Sequence, residues 1–178
     1  MKRSIFLVAA LAATSLSVRA QAPLGKRSIP RHQARRADWP SVSLADRKEY
    51  PATFEALRLL LRNAGVRTAR VSQTDIKRFQ RAQGLQPDGV IGPQTWAKLC
   101  PRLHRGDRGE AVRALQTLLG NIQSGYDKPI PKRLAVDGNF GFSTETELRR
   151  FQRDYGLKAD GVAGAQTWSN LLMPEEGD

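Results

Sequence analysis

The segment Leu148-Arg-Arg-Phe151-Gln-Arg-Asp-Tyr-Gly156-Leu-Lys-Ala-Asp160-Gly-Val-Ala-Gly164-Ala-Gln-Thr167-Trp168-Ser-Asn-Leu171 repeats an earlier one. That earlier one is Ile76-Lys-Arg-Phe79-Gln-Arg-Ala-Gln-Gly84-Leu-Gln-Pro-Asp88-Gly-Val-Ile-Gly92-Pro-Gln-Thr95-Trp96-Ala-Lys-Leu99. Phe-Gln-Arg, Gly-Leu, Asp-Gly-Val, Gly and Gln-Thr-Trp recur at a fixed offset, which means one small supersecondary unit used twice. Leu148, Phe151, Gln152 and Tyr155 fall at helical intervals, and Gly156 is placed to end that helix. A second, shorter helix is predicted after Gly164, burying Trp168, Leu171 and Leu172. In the first copy Pro93 opens the matching helix, where its fixed φ and missing amide hydrogen do no harm.

Upstream of the second copy, Val112, Leu115, Leu118 and Leu119 predict another amphipathic helix, ending at Gly120. The segment from Gly125 to Pro131 holds two prolines and reads as a loop. Ser143 and Thr144 then offer capping hydroxyls, with Glu147 three residues beyond Thr144 as in a capping box. The pattern Asp-Gly-x-x-Gly-x-x-Thr occurs three times: Asp88, Gly89 and Gly92; Asp137, Gly138 and Gly141; Asp160, Gly161 and Gly164. Glycine admits positive φ, and an Asp side chain bonds amides ahead of it, so the pattern predicts a turn that aims the chain into the next helix. One carboxylate per turn falls short of a calcium loop. No metal and no cofactor is therefore expected.

Phe-Gln, Gly-Leu, Asp-Gly-x-x-Gly-x-x-Thr-Trp and the closing Leu resemble the peptidoglycan-binding-like module, a small three-helix domain usually attached to bacterial wall enzymes. Leu103-His-Arg-Gly106-Asp107-Arg-Gly109-Glu-Ala-Val112 matches its opening, and Asp137-Gly-Asn-Phe140-Gly141 its central turn. The resemblance implies an all-α fold with two such modules in tandem: a degenerate one at 46–100 and a complete one at 101–173. The first lacks the Gly-Asp-x-Gly opening, and Val71-Ser-Gln-Thr-Asp75 stands where its central turn belongs.

The N-terminus reads differently. Lys2-Arg3, an apolar run from Ile5 to Ala13 and Val18-Arg19-Ala20 predict a signal peptide over 1–20. Residues 21–45 read as a disordered basic linker and 174–178 as an acidic tail. Of the formal charge of +12, +9 remains after residue 20, whereas residues 102–178 hold eleven basic and eleven acidic side chains. The excess therefore lies before residue 101. The apolar run falls short of the about 20 residues that span a bilayer, so an integral membrane protein is not expected. The lone Cys100 builds no disulfide framework. Its place beside Trp96 and Leu99 reads as a buried apolar position.

The candidate ligand contacts are the basic helix faces and the glutamines beside them: Arg78, Arg81, Gln80 and Gln94 in the first copy, Arg150, Arg153, Gln152 and Gln166 in the second. Arginine forks match carboxylates and phosphates. Trp96 and Trp168 could stack on sugars, but their helical register with Leu99 and Leu171 favours the core. No catalytic residue is assigned. His32 and His104 are too few for a zinc site, and Glu145 and Glu147 point to different helix faces. The expected function is a secreted, non-catalytic binding protein for peptidoglycan or an associated anionic wall polymer, located in the periplasm or the extracellular wall. Avidity from the repeat supports that reading. The alternatives are a scaffold for a separate wall hydrolase and, behind it, a hydrolase itself. The neutral second copy and the export signal argue against specific nucleic-acid binding.

Overall fold

The computed structural model describes residues 39–123 and 134–172. The expected signal peptide, residues 21–38 of the expected linker, the Gly125–Pro131 segment read as a loop and the expected acidic tail lie outside the described residues. Among the described residues are six α-helices: α1 (Pro51–Asn63), α2 (Gln73–Ala82), α3 (Pro93–Leu99), α4 (Glu110–Gln123), α5 (Phe142–Asp154) and α6 (Ala165–Leu172). The fold is all-α, as expected. A short 3₁₀ turn, Leu44–Lys48, precedes α1, and its capping box runs between Ser43 and Asp46.

Two helix starts follow the local chemistry closely. Pro51 opens α1 at a position that needs no amide hydrogen. At α2, the hydroxyl of Ser72 accepts from the amide of Asp75, whose carboxylate receives the Ser72 amide in return. The expected capping box at Thr144 does not form. Helix α5 starts at Phe142 with Gly141 before it, because Thr144 turns inward to a hydrogen-bond network. Likewise α4 runs past Gly120 to Gln123.

Each three-helix unit is tied off by the chain ahead of it. Val42 pairs with Ile91 in an isolated antiparallel bridge, and Leu103 pairs with Ala163 in the same way. The indole nitrogen of Trp96 donates to Pro40 O at 2.9 Å, and that of Trp168 to Pro101 O at 2.8 Å. Both tryptophans are fully buried, as their register predicts, and the indole donor of each finds the carbonyl that burial demands. These contacts correct the linker boundary. Residues 39–45 are structured rather than disordered, with Val42 buried and Trp39 packed on the core.

The two units do not keep separate cores. The most extensive helix contact joins α1 to α4. Buried residues of both units form one continuous cluster, including Leu57, Leu60 and Leu61 from α1 and Leu115, Leu118 and Leu119 from α4. The consecutive Leu59-Leu60-Leu61 explains this, since a helix buried at three successive positions must be covered on more than one side. A unit of this size buries too little apolar surface to be more than marginal alone, and sharing relieves that.

Candidate functional site

One hydrogen-bond network is built three times. In the third turn the side-chain amide of Gln152 donates to Val162 O at 3.0 Å and lies 3.2 Å from both Asp160 Oδ1 and Thr167 Oγ1. Its carbonyl accepts the Gly161 amide at 2.9 Å. Gln80 does the same with Asp88, Val90, Thr95 and Gly89. Gln116 repeats it with Asp137, Asn139, Thr144 and Gly138. In each case a helix glutamine fills the inside of an Asp-Gly turn and joins it to the threonine of the next helix. Buried amides of this kind leave no unmet partner, which rigidifies the turn.

The network corrects two of the candidate contacts. Gln80 and Gln152 are 2% and 1% exposed, and both ends of each carboxamide are committed, so neither presents itself to a ligand. Gln116 is a third member that the sequence reading passed over. A spacing could have revealed it, because Lys77-x-x-Gln80, Arg113-x-x-Gln116 and Arg149-x-x-Gln152 share one pattern. The cation lies over the turn in all three. A Cβ added at Gly89, Gly138 or Gly161 would come within 3.0 Å of Lys77, 2.9 Å of Arg113 or 2.8 Å of Arg149.

The first glycine of each turn has positive φ: 80° at Gly89, 76° at Gly138 and 71° at Gly161. The second does not. Gly92 and Gly141 sit in extended backbone just before α3 and α5, a conformation open to any residue. The amide of Val90, and then Gln80, hold the Asp88 carboxyl below its ordinary range. The amide of Asn139, and then Gln116, do the same for Asp137. These carboxylates are occupied in closing turns. Among the described residues no three His, Cys, Asp or Glu are grouped to hold a metal.

The remaining candidates lie outside. Arg78, Arg81, Arg153, Gln94 and Gln166 are exposed. Arg150 is half-buried and lies 3.8 Å from Glu147 and 3.9 Å from Asp154. Arg150 and Arg153 share a face of α5 at a spacing of three. One surface feature escaped the sequence reading. Phe142, the first residue of α5, is 69% exposed, and the guanidinium of Arg105 lies 5.8 Å from its ring centroid. Arg105 is also 3.6 Å from Glu145. The equivalent helix starts hold Pro93 and Ala165, so this ring belongs to the central turn alone. Burial pushes the Cys100 thiol up, away from the thiolate a nucleophile requires.

The fold is thus a small helical repeat whose Asp-Gly turns are locked from inside by buried glutamines. The chain belongs to the family described as putative peptidoglycan binding domain, whose sequence profile matches residues 67–99 and 108–171. It is 33% identical over 128 residues to a zinc D-Ala-D-Ala carboxypeptidase of Streptomyces albus G, covering 72% of this chain and 47% of that one. It is also 33% identical over 110 residues to the N-acetylmuramoyl-L-alanine amidase CwlM of Mycobacterium tuberculosis, covering 55% and 25%. A probable N-acetylmuramoyl-L-alanine amidase of Bacillus licheniformis is 30% identical over 115 residues, covering 53% and 32%. The chain thus spans half or less of these relatives. No solved structure matches it. No helix among the described residues is long and apolar enough to cross a membrane.

Proposed function

We propose that this chain is a secreted, non-catalytic protein that binds peptidoglycan. The observation that carries the reading is the family match, which falls on the two segments that build the repeated turn networks. The names of its relatives describe enzymes acting at D-alanyl and muramoyl groups, and this chain corresponds to only part of each. The leader-like first twenty residues support export to the compartment that holds the wall.

On the second unit the contact surface is the start of α5. An exposed aromatic ring suits the apolar face of a sugar, and Arg105 beside it suits a muramyl or peptide carboxylate. Arg150 and Arg153 extend the cationic surface along the helix. The test is pelleting of the full chain with purified insoluble peptidoglycan, alongside Phe142→Ala and Arg150→Gln/Arg153→Gln. The expected result is pelleting of the parent chain and a several-fold loss for Phe142→Ala at unchanged melting temperature. A parent chain that stays in the supernatant refutes wall binding, and equal pelleting of Phe142→Ala removes that ring from the contact.

A further inference from the structure

The degenerate unit carries an open cleft where the complete unit is closed. In the second unit, the residues before α4 are stitched to the turn before α5. Gly109 N donates to Gly138 O at 2.9 Å, Gly106 N to Phe140 O at 3.0 Å and Phe140 N to Asp107 O at 2.9 Å. The equivalent junction of the first unit lies between the 3₁₀ turn before α1 and the residues before α2. There the central turn is replaced by the shorter Val71–Asp75, and a cleft of about 470 Å³ remains.

Its walls are cationic. Arg47, Lys48 and Arg70 line it together with Ser72 and Gln73. None of the three cations forms an ion pair among the described residues. The nearby carboxylates are engaged as caps: Asp46 accepts the Ser43 amide at 2.7 Å, and Asp75 the Ser72 amide at 2.9 Å and its hydroxyl at 2.6 Å. Arg47 is fixed, with its guanidinium 5.3 Å from the Phe54 centroid and donating to Val71 O. Lys48 and Arg70 thus hold their charged groups without an ion-pair partner among the described residues, and an anion between them is attracted by both.

We infer that this cleft binds a phosphate group, and that its source is a phosphodiester polymer attached to the wall. Three cations around one cavity exceed what a single carboxylate needs, and the Arg70 fork with the Gln73 side-chain amide beside it matches phosphate oxygens. The cleft and its chemistry stand on the geometry; the wall as source rests on the function proposed above. The first unit then differs from the second in ligand rather than in competence: one reads saccharide and peptide, the other the anionic polymer.

The probe is inorganic phosphate titrated into the full chain at constant ionic strength, followed by amide NMR shifts and compared with chloride. The variant is Lys48→Gln/Arg70→Gln, which leaves the structural Arg47 in place. Expected are saturable shifts at residues 70–73 with phosphate alone, weakened at least fivefold in the variant at unchanged melting temperature. In parallel, sacculi that retain their phosphodiester polymer should pellet several-fold less of the variant than of the parent. Sacculi stripped with hydrofluoric acid should pellet both equally. Absence of saturation, or the same response in the variant, overturns the site. A preference for anionic phospholipid vesicles over the unstripped wall overturns the assigned source. Phosphate shifts in a chain that no sacculus retains uphold the cleft and refute the wall-binding reading instead.

Discussion

Gly161 donates its backbone amide to Oε1 of Gln152 across 2.9 Å, and that bond holds a turn of positive φ against the last turn of α5. Replacing Gln152 with Leu removes the donor and the acceptor together. It leaves Val162 O, Thr167 Oγ1 and the Gly161 amide to find other partners in a site that is 1% exposed at Gln152. Each buried group so stranded costs about 1–3 kcal/mol. Gln152→Leu should therefore lose about 3 kcal/mol in urea unfolding, while the exposed Gln94→Ala stays within about 0.5 kcal/mol. Equal midpoints for the two would dismiss the network as a stabilising device.

Gly161 and Gly156 separate strain from crowding. Their φ values are 71° and 67°, so alanine at either meets the same left-handed penalty of about 1–2 kcal/mol. Only at Gly161 would the new Cβ also lie 2.8 Å from Arg149 Nε and 3.0 Å from Glu145 Cγ. Arg149 is held by Ala159 O at 2.7 Å and by Glu145 at 3.0 Å, so it yields at the expense of those bonds. Gly161→Ala should unfold at lower denaturant than Gly156→Ala; the reverse order would place the strain elsewhere.

Asp88 and Asp137, like Asp75, hold their carboxyls below the ordinary value in the folded chain. Both carboxyls are lowered from an ordinary value of 3.8 by amides that bond the charged form. A group depressed on folding stabilises fully above its unfolded pKa, and that contribution disappears as pH falls through the folded value. Urea midpoints should thus decline below about pH 5, as the unfolded carboxyls begin to bind protons. Asp88→Asn/Asp137→Asn should flatten the decline over that window. An unchanged pH profile in the double variant would assign the acid sensitivity to other carboxylates.

Chains begun at residue 39 and at residue 46 test the corrected boundary. The shorter chain loses Val42, which is 3% exposed, and the Pro40 carbonyl that receives the Trp96 indole. Burial of one valine is worth about 1.5–3 kcal/mol and the hydrogen bond about 1 kcal/mol. A loss of about 3 kcal/mol is expected. Identical melting curves would return residues 39–45 to the linker.

Because α1 and α4 share one core, Leu61→Ala and Leu119→Ala, in different units, should each shift a single common transition by about 2–5 kcal/mol. Calorimetry that resolves two transitions, only one of them moved, would show that the units melt apart.

The helices and turns were legible because their signals are local. Phe151, Trp168 and Leu171 declare their burial by period, and the Asp-Gly pairs declare positive φ by composition. What stayed hidden depends on contacts distant in the chain. Gln152 looks like a surface amide until a turn eight residues on is folded over it. Pro40 looks like linker because the indole that bonds its carbonyl, that of Trp96, lies 56 residues away. Phe142 went unread for another reason: nothing in its local pattern separates an exposed ring from a buried one, and only the folded backbone shows it outside.

The helix pair at the centre bears on how such a chain can change over generations. A repeat that stands alone must keep every turn, because losing one opens its interior. Here α4 packs on α1 and completes its cover, so the first copy stays folded without a central turn. The neighbour acts as a permanent template. Under its cover, the residues at that place have no turn to maintain.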